Sequence, residues 1–245
     1  AAELNYVDGV TSAIQTQLDA KQATLTAGSG ITISSGTISA SSSGGSSDVT
    51  GLSDALVEDE SLYIGNDPSS TTSTAIKNVA LGVKALDAIT TGDWNTALGF
   101  EALSTNTTGY RNLGSGTFAL FQNTTGYENT ATGYDALTEN TTGNMNTASG
   151  YRASRYNTTG ELNTAVGFNA LYSNTTGNRN TAVGSYALYN QTVNEKNTAL
   201  GYQAGDVITT GSNNVIIGYD ADASANSATN PVSYTHLRAH ETKWH

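Results

Sequence analysis

The sequence predicts an all-β chain built as a parallel β-solenoid of ten 17-residue coils, preceded by a short α-helical coiled coil and a small β-hairpin. Three observations carry this. Glycine recurs at every seventeenth position from Gly65 to Gly218 without an insertion or deletion. A second glycine series keeps the same step from Gly92 to Gly211, with Asn194 replacing it once. Asparagine stands four residues before nine of the framework glycines, from Asn78 to Asn214, and alanine stands three residues after, from Ala85 to Ala221. Loops on an ordinary domain tolerate length changes. A period kept this strictly means that each repeat stacks on the last, where one extra residue would break a continuous ladder. Repetition therefore overrides the one or two globular domains that 245 residues would otherwise suggest.

The elements follow in order. Residues 1–24 place Leu4, Val7, Ile14 and Leu18 at alternating three- and four-residue spacing, with Thr11 in the remaining seam position. This predicts a coiled-coil segment too short to hold without partner helices. In residues 25–47, Leu25, Ile31, Ile33 and Ile38 are separated by Thr, Ser and Gly, which reads as a β-hairpin turning at Ser35-Gly36. A flexible Ser/Gly linker, Ser41–Ser47, follows. Val49, Leu52, Ala55 and Leu56 fall at helical spacing within 48–60 and predict a short capping helix. Residues 61–223 form the solenoid, where the Thr, Val and Gly content favours two short strands and two glycine turns per copy. Residues 224–245 are expected to be a disordered tail.

Stacking in register turns each repeated residue into a column. The asparagines Asn78 to Asn214 are expected to form an amide ladder at the ~4.8 Å strand spacing, hydrogen-bonding up and down the stack. The invariant alanine implies a close backbone or a narrow lumen. Leu86, Leu103, Leu120, Leu137, Leu171 and Leu188 follow it and are expected on the opposite face. With Leu98, Val166, Val183 and Leu200 they make the predicted core. One coil buries little apolar surface, so stability has to accumulate along the stack or come from neighbouring chains.

The clearest copy of the repeat is Asn163-Thr-Ala-Val-Gly-Phe-Asn-Ala-Leu-Tyr-Ser-Asn-Thr-Thr-Gly177. Its element Asn-Thr-Ala-Val-Gly-x-x-Ala-Leu resembles the YadA-like head repeat of trimeric autotransporter adhesins. The full seventeen-residue form, with Asn-Thr-Thr-Gly, resembles arrays found in phage tail fibres. The segment Glu3–Lys21 resembles one that recurs in such fibres as short trimeric coils. The resemblance covers about two thirds of the chain. It implies a left-handed parallel β-roll, three of which lie side by side in a homotrimer. Two departures stand out: the autotransporter repeat is usually shorter, and no membrane-anchor pattern is present. Tail-fibre chains of this type often end in an endosialidase-type self-cleaving chaperone domain, and none is visible here. The run Val232–Thr242 resembles a translated transposase sequencing adapter, with Lys243, Trp244 and His245 read from index bases, so 232–245 is taken as adapter-derived.

Candidate sites are few. Cysteine is absent and all three histidines, His236, His240 and His245, lie in the adapter-like run. A metal pair at His236 and His240, one helical turn apart, is outweighed by that reading. Only carboxylate or hydroxyl chemistry remains, and no paired acid motif recurs. The expectation is therefore no catalytic, cofactor-binding or metal-binding residue, and no cofactor. A net charge of −11 without a basic stripe argues against nucleic acid. No apolar run is long enough for membrane insertion as a helix. Ala1 in place of Met, with no signal peptide, points to an internal fragment.

Four features carry a functional reading beside a structural one. Phe100, Tyr134, Tyr151, Phe168, Tyr202 and Tyr219 follow framework glycines and suit either sugar stacking or an aromatic ladder, the latter favoured. Asn106, Asn123, Asn140, Asn157 and Asn174 match the glycosylation sequon, a match the repeat generates by itself. Asp67, Glu101, Asp135 and Asp220 share one column with Lys84 and Arg152 and read as a solvated face rather than a cation site. Thr107, Thr124, Thr141, Thr158 and Thr175 form a hydroxyl column, which raises ice binding as a minor alternative. The expected function is the structural shaft of a trimeric phage tail fibre or tail spike in the virion. Its partners would be two further copies, other tail or baseplate proteins, and a host-cell receptor reached through a tip outside this segment. The alternative is the adhesive head of a bacterial surface protein that binds glycan or matrix.

Overall fold

The computed structural model describes residues 31–34, 37–40, 55–58, 60–65, 74–222 and 232–234, with side chains at 60–65 and 74–222. The chain divides into two compact units, Ala1–Ser47 and Asp48–His245. In the first, β1 (Ile31–Ser34) and β2 (Thr37–Ala40) pair antiparallel with Ile33 opposite Ile38, leaving Ser35 and Gly36 as the connection. This is the predicted hairpin. The coiled coil of residues 1–24 and the linker of 41–47 lie outside the described residues.

The second unit is a parallel β-solenoid. It opens with β3 (Ala55–Glu58) antiparallel to β4 (Ser61–Ile64). Nine three-residue strands then follow at seventeen-residue steps: β5 (Val79–Leu81), β6 (Thr96–Leu98), β7 (Leu113–Ser115), β8 (Thr130–Thr132), β9 (Thr147–Ser149), β10 (Thr164–Val166), β11 (Thr181–Val183), β12 (Thr198–Leu200) and β13 (Val215–Ile217). Each pairs in parallel with the next, as Thr164, Ala165 and Val166 do with Thr181, Ala182 and Val183. A last strand, β14 (Val232–Tyr234), pairs with β13, placing Val232 beside Val215.

Several expectations need correction. The helix expected over 48–60 gives way to a strand at 55–58, because the exposed edge of the first coil is satisfied by an antiparallel partner. The tail is not wholly irregular. Val232-Ser-Tyr234 has strand-forming side chains and lies one coil length beyond β13, where an extended segment meets the open sheet edge. The remaining tail residues lie outside the described set. Each coil holds one strand rather than two. The other half is a run of turns, held to its neighbours by backbone bonds such as Leu103 N–H to Ala119 C=O (3.0 Å) and Leu120 N–H to Ala136 C=O (3.0 Å).

The turn half explains a second correction. Ala102 and Leu103 are both fully buried, as are Ala136 and Leu137, although neighbours on a strand would point to opposite faces. The leucines sit at left-handed φ, with Leu103 at 52° and Leu137 at 51°, which turns the side chain back into the interior. Three columns of non-glycine residues adopt this conformation, represented in successive parts of one coil by Glu101 (54°), Leu103 (52°) and Arg111 (55°). Left-handed φ costs roughly 1–2 kcal/mol per residue, so contacts between coils have to offset it. Within the strands the small residue faces inward: Ala97, Ala165 and Ala199 are buried. Leu98 (37% exposed), Val166 (38%) and Leu200 (48%) face outward, and Val183 is half-buried, so none of these four belongs to the core. The framework glycines have no substitute. Gly133 has φ 131°, and a Cβ there would lie 2.5 Å from the Gly150 carbonyl oxygen.

Candidate functional site

The amide columns are interior. Asn95 donates its backbone N–H to Asn78 Oδ1 (2.8 Å), while its Nδ2 donates to the same oxygen (3.2 Å) and to the Gly109 carbonyl (2.9 Å). Asn112, Asn129 and Asn146 repeat all three bonds, and the N–H link continues to Asn214. At the first coil Ser61 takes the place of asparagine, and its Oγ accepts the Asn78 N–H (2.9 Å). The predicted ladder is therefore present, and it also ties each strand start to the glycine turn of the following coil.

The sequon asparagines form a second ladder. Asn123 Nδ2 donates to Asn106 Oδ1 (2.7 Å) and to the Gly126 carbonyl (2.9 Å), and Asn140, Asn157 and Asn174 do the same in turn. All five are fully buried. An oligosaccharide cannot be attached to them in the folded chain. The column stops where Gln191 replaces asparagine. Gln191 Oε1 accepts from Asn197 Nδ2 (2.7 Å), and Asn174 Oδ1 is left without a donor.

The threonine column is committed too. Thr107, Thr124, Thr141, Thr158 and Thr175 each donate Oγ1–H to a threonine carbonyl of the next coil at 3.0–3.1 Å. Their hydroxyl protons are thus unavailable to an outside lattice.

The aromatic column stacks on itself. Tyr134 and Tyr151 lie 5.4 Å apart at 12°, Tyr151 and Phe168 5.1 Å at 7°, and Tyr202 and Tyr219 5.1 Å at 16°. Both ring faces of Tyr151 are covered, by Tyr134 and Phe168, and cannot also receive a sugar ring. Phe100 joins the series edge-on through Phe118 (5.6 Å).

The acidic column is solvated at Lys84 and Asp220, as expected, but not at Asp135. Asp135 is 4% exposed, and its Oδ2 holds both Arg152 Nε (3.3 Å) and Arg155 Nε (3.5 Å) in the next coil. Lys84 pairs with Glu101 at 3.3 Å. Asp67 lies outside the described residues. Among the described residues no group of three or more His, Cys, Asp or Glu is placed to hold a metal ion. At the last coil, burial raises the Asp206 carboxyl pKa, Asp220 repulsion adds to this, and a Gln203 hydrogen bond opposes it. Asp222 is raised likewise, by burial first and then by Asp206.

Sequence reading missed the outward strand face. The signal was present as the alternation Thr-Ala-Val, whose small middle residue marks the inward side. The fold and its ladders define a parallel β-solenoid repeat protein with coils of about seventeen residues. Comparison with known proteins adds nothing finer, for no family model, curated protein or solved structure matches the chain.

Proposed function

We propose that this chain is part of the shaft of a trimeric phage tail fibre or tail spike, built from YadA-like head repeats. The observation that carries the reading is the use of the repeated polar groups. Both asparagine columns and the threonine column are hydrogen-bonded from coil to coil, and the aromatic column stacks ring on ring from Tyr134 to Phe168. Side chains held in this way transmit position along an axis; they do not meet a substrate. A rod of about ten coils at ~4.8 Å gives roughly 50 Å of rigid spacer, which suits a protein that carries a receptor-binding tip at a distance. The trimer and its virion setting come from the resemblance to tail-fibre arrays.

Sedimentation equilibrium on the full chain tests the assembly, with three copies expected and a stable monomer fatal to the reading. Binding of labelled chain to bacterial cells separates shaft from adhesive head. A shaft shows no saturable binding, whereas saturable binding by this segment makes it an adhesin.

A further inference from the structure

We propose that Arg152 and Arg155 form a binding site for one phosphate group on the flank of the solenoid. The site goes beyond the shaft reading and does not depend on it. Its first support is the way the two guanidinium groups are held. Both meet the same oxygen of the buried Asp135, Oδ2, and both meet it through Nε, at 3.3 and 3.5 Å. In other arginine ion pairs of the array the terminal Nη1 faces the carboxylate, as Arg111 does with Glu128 (2.9 Å) and Arg179 with Glu195 (3.9 Å). Attachment through Nε leaves the Nη groups, the fork that grips phosphate, for another acceptor. Among the described residues Arg152 makes no second hydrogen bond. Arg155 has only phenols beside Asp135: Nη1 donates to the Tyr156 hydroxyl (3.4 Å), and Tyr172 is a further partner.

Access and order come together here. The two side chains are 34% and 24% exposed, so an anion in solution reaches them. Arg152 Cζ lies 4.9 Å from the Tyr151 ring centre, and Arg155 Cζ lies 5.1 Å from that of Tyr156. These contacts limit the swing of both groups, and a fork already in place loses little freedom when a ligand arrives. Charge is the second support. Two cations face one buried carboxylate. The other acid in these columns is Glu139, one coil before Tyr156, whose N–H donates to the Arg155 carbonyl (3.0 Å). One coil further on, the same columns hold Asn169, Tyr172 and Ser173, all neutral. An anion entering from that side meets no carboxylate in them.

Asn169 supplies the third support. It follows Arg152 in the same column, is 9% exposed, and its Oδ1 has no hydrogen-bond partner among the described residues. A buried amide oxygen is normally paired. Singly protonated phosphate brings charged oxygens for the arginines and an O–H for such an acceptor. Sulfate offers the same tetrahedral oxygens without the proton. The group can come as inorganic phosphate or as a phosphomonoester of a sugar or polyol.

Equilibrium dialysis of the full chain against labelled inorganic phosphate, at neutral pH and fixed ionic strength, tests the site. Saturable binding of one phosphate per chain is expected, with sulfate a poor competitor. Arg152→Gln should weaken it about tenfold or more, the loss of one charge-assisted hydrogen bond. Arg111→Gln, away from the site, should leave it unchanged. Arg152→Gln also disturbs the Asp135 ion pair, so Glu139→Gln is the second variant. It keeps both arginines and should tighten binding, because a nearby negative charge is gone. Glycerol phosphate competing better than inorganic phosphate identifies an ester as the ligand, and equal competition identifies the free anion. Sulfate competing as well as phosphate overturns the phosphate assignment. Absence of saturable binding, or equal losses in Arg152→Gln and Arg111→Gln, overturns the site. Sedimentation of the same samples reads the assembly separately: a monomer that binds phosphate removes the shaft reading and leaves this site standing.

Discussion

Asn140 shows what a single residue does in this lattice. Its Nδ2 donates to Asn123 Oδ1 and the Gly143 carbonyl, and its Oδ1 accepts from Asn157 Nδ2. Asn140→Ala leaves the buried Asn123 Oδ1 without its donor, while the Gly143 carbonyl keeps Asn129 Nδ2 and Asn157 Nδ2 keeps the Gly160 carbonyl. A loss of about 1–3 kcal/mol is expected in urea denaturation. Asn190→Ala, an exposed asparagine bonded to the Asp206 carbonyl, serves as the control with a change of about 0.5 kcal/mol. Equal effects from the two would remove the case for an interior ladder. Asp206 behaves in the opposite sense. Burial raises its folded pKa above the unfolded value, so its stabilising contribution is complete below the ordinary aspartate range and is lost as pH rises through the raised folded pKa. Asp206→Asn should therefore raise the melting temperature at neutral pH and make no difference in strong acid. A lower melting temperature at neutral pH would contradict the assigned direction.

A coil is sound when its interior volumes balance, and the coils do so differently. In the last coil Gly205 stands where earlier coils have leucine, and Ile216 stands where they have alanine; a Cβ on Gly205 would lie 2.8 Å from Ile216 Cδ1. The pair exchanges volume across the lumen. Ser154 breaks the leucine column without such compensation, because Ala153 and Ala165 beside it are unchanged. The residue is 1% exposed and its Oγ has no partner. Its φ of 51° is the one the leucines already adopt. Ser154→Leu should raise stability by about 2 kcal/mol, the value of one buried leucine. A destabilised variant would mean that the gap is already filled.

Along the whole array the strength is nearest-neighbour and therefore depends on register. Inserting one residue after Gly143 moves the following coil out of step with both asparagine ladders and inverts the strand face. The expected result is a melt split into two transitions; an unchanged single transition would refute the stacked register. The glycine spacing made this legible from sequence, as did the Asn78 to Asn214 column. The strand at 55–58 was not legible, because Val49, Leu52, Ala55 and Leu56 satisfy a helical spacing as readily as Ala55, Leu56 and Val57 suit an edge strand, and only the sheet edge of the first coil decides between them.

What the sequence determined by itself was translation: a strict seventeen-residue step fixes which residue lies above which, and hence the ladders and the solenoid. What only the tertiary structure decided was rotation within the coil. Whether Leu103 faces in and Leu98 faces out depends on left-handed φ at positions held by Leu, Glu and Arg, residues with no preference for it. Those angles are stabilised by hydrogen bonds from one coil to the next. No single repeat contains that information, and so the sequence showed the stack while the structure showed its outer face.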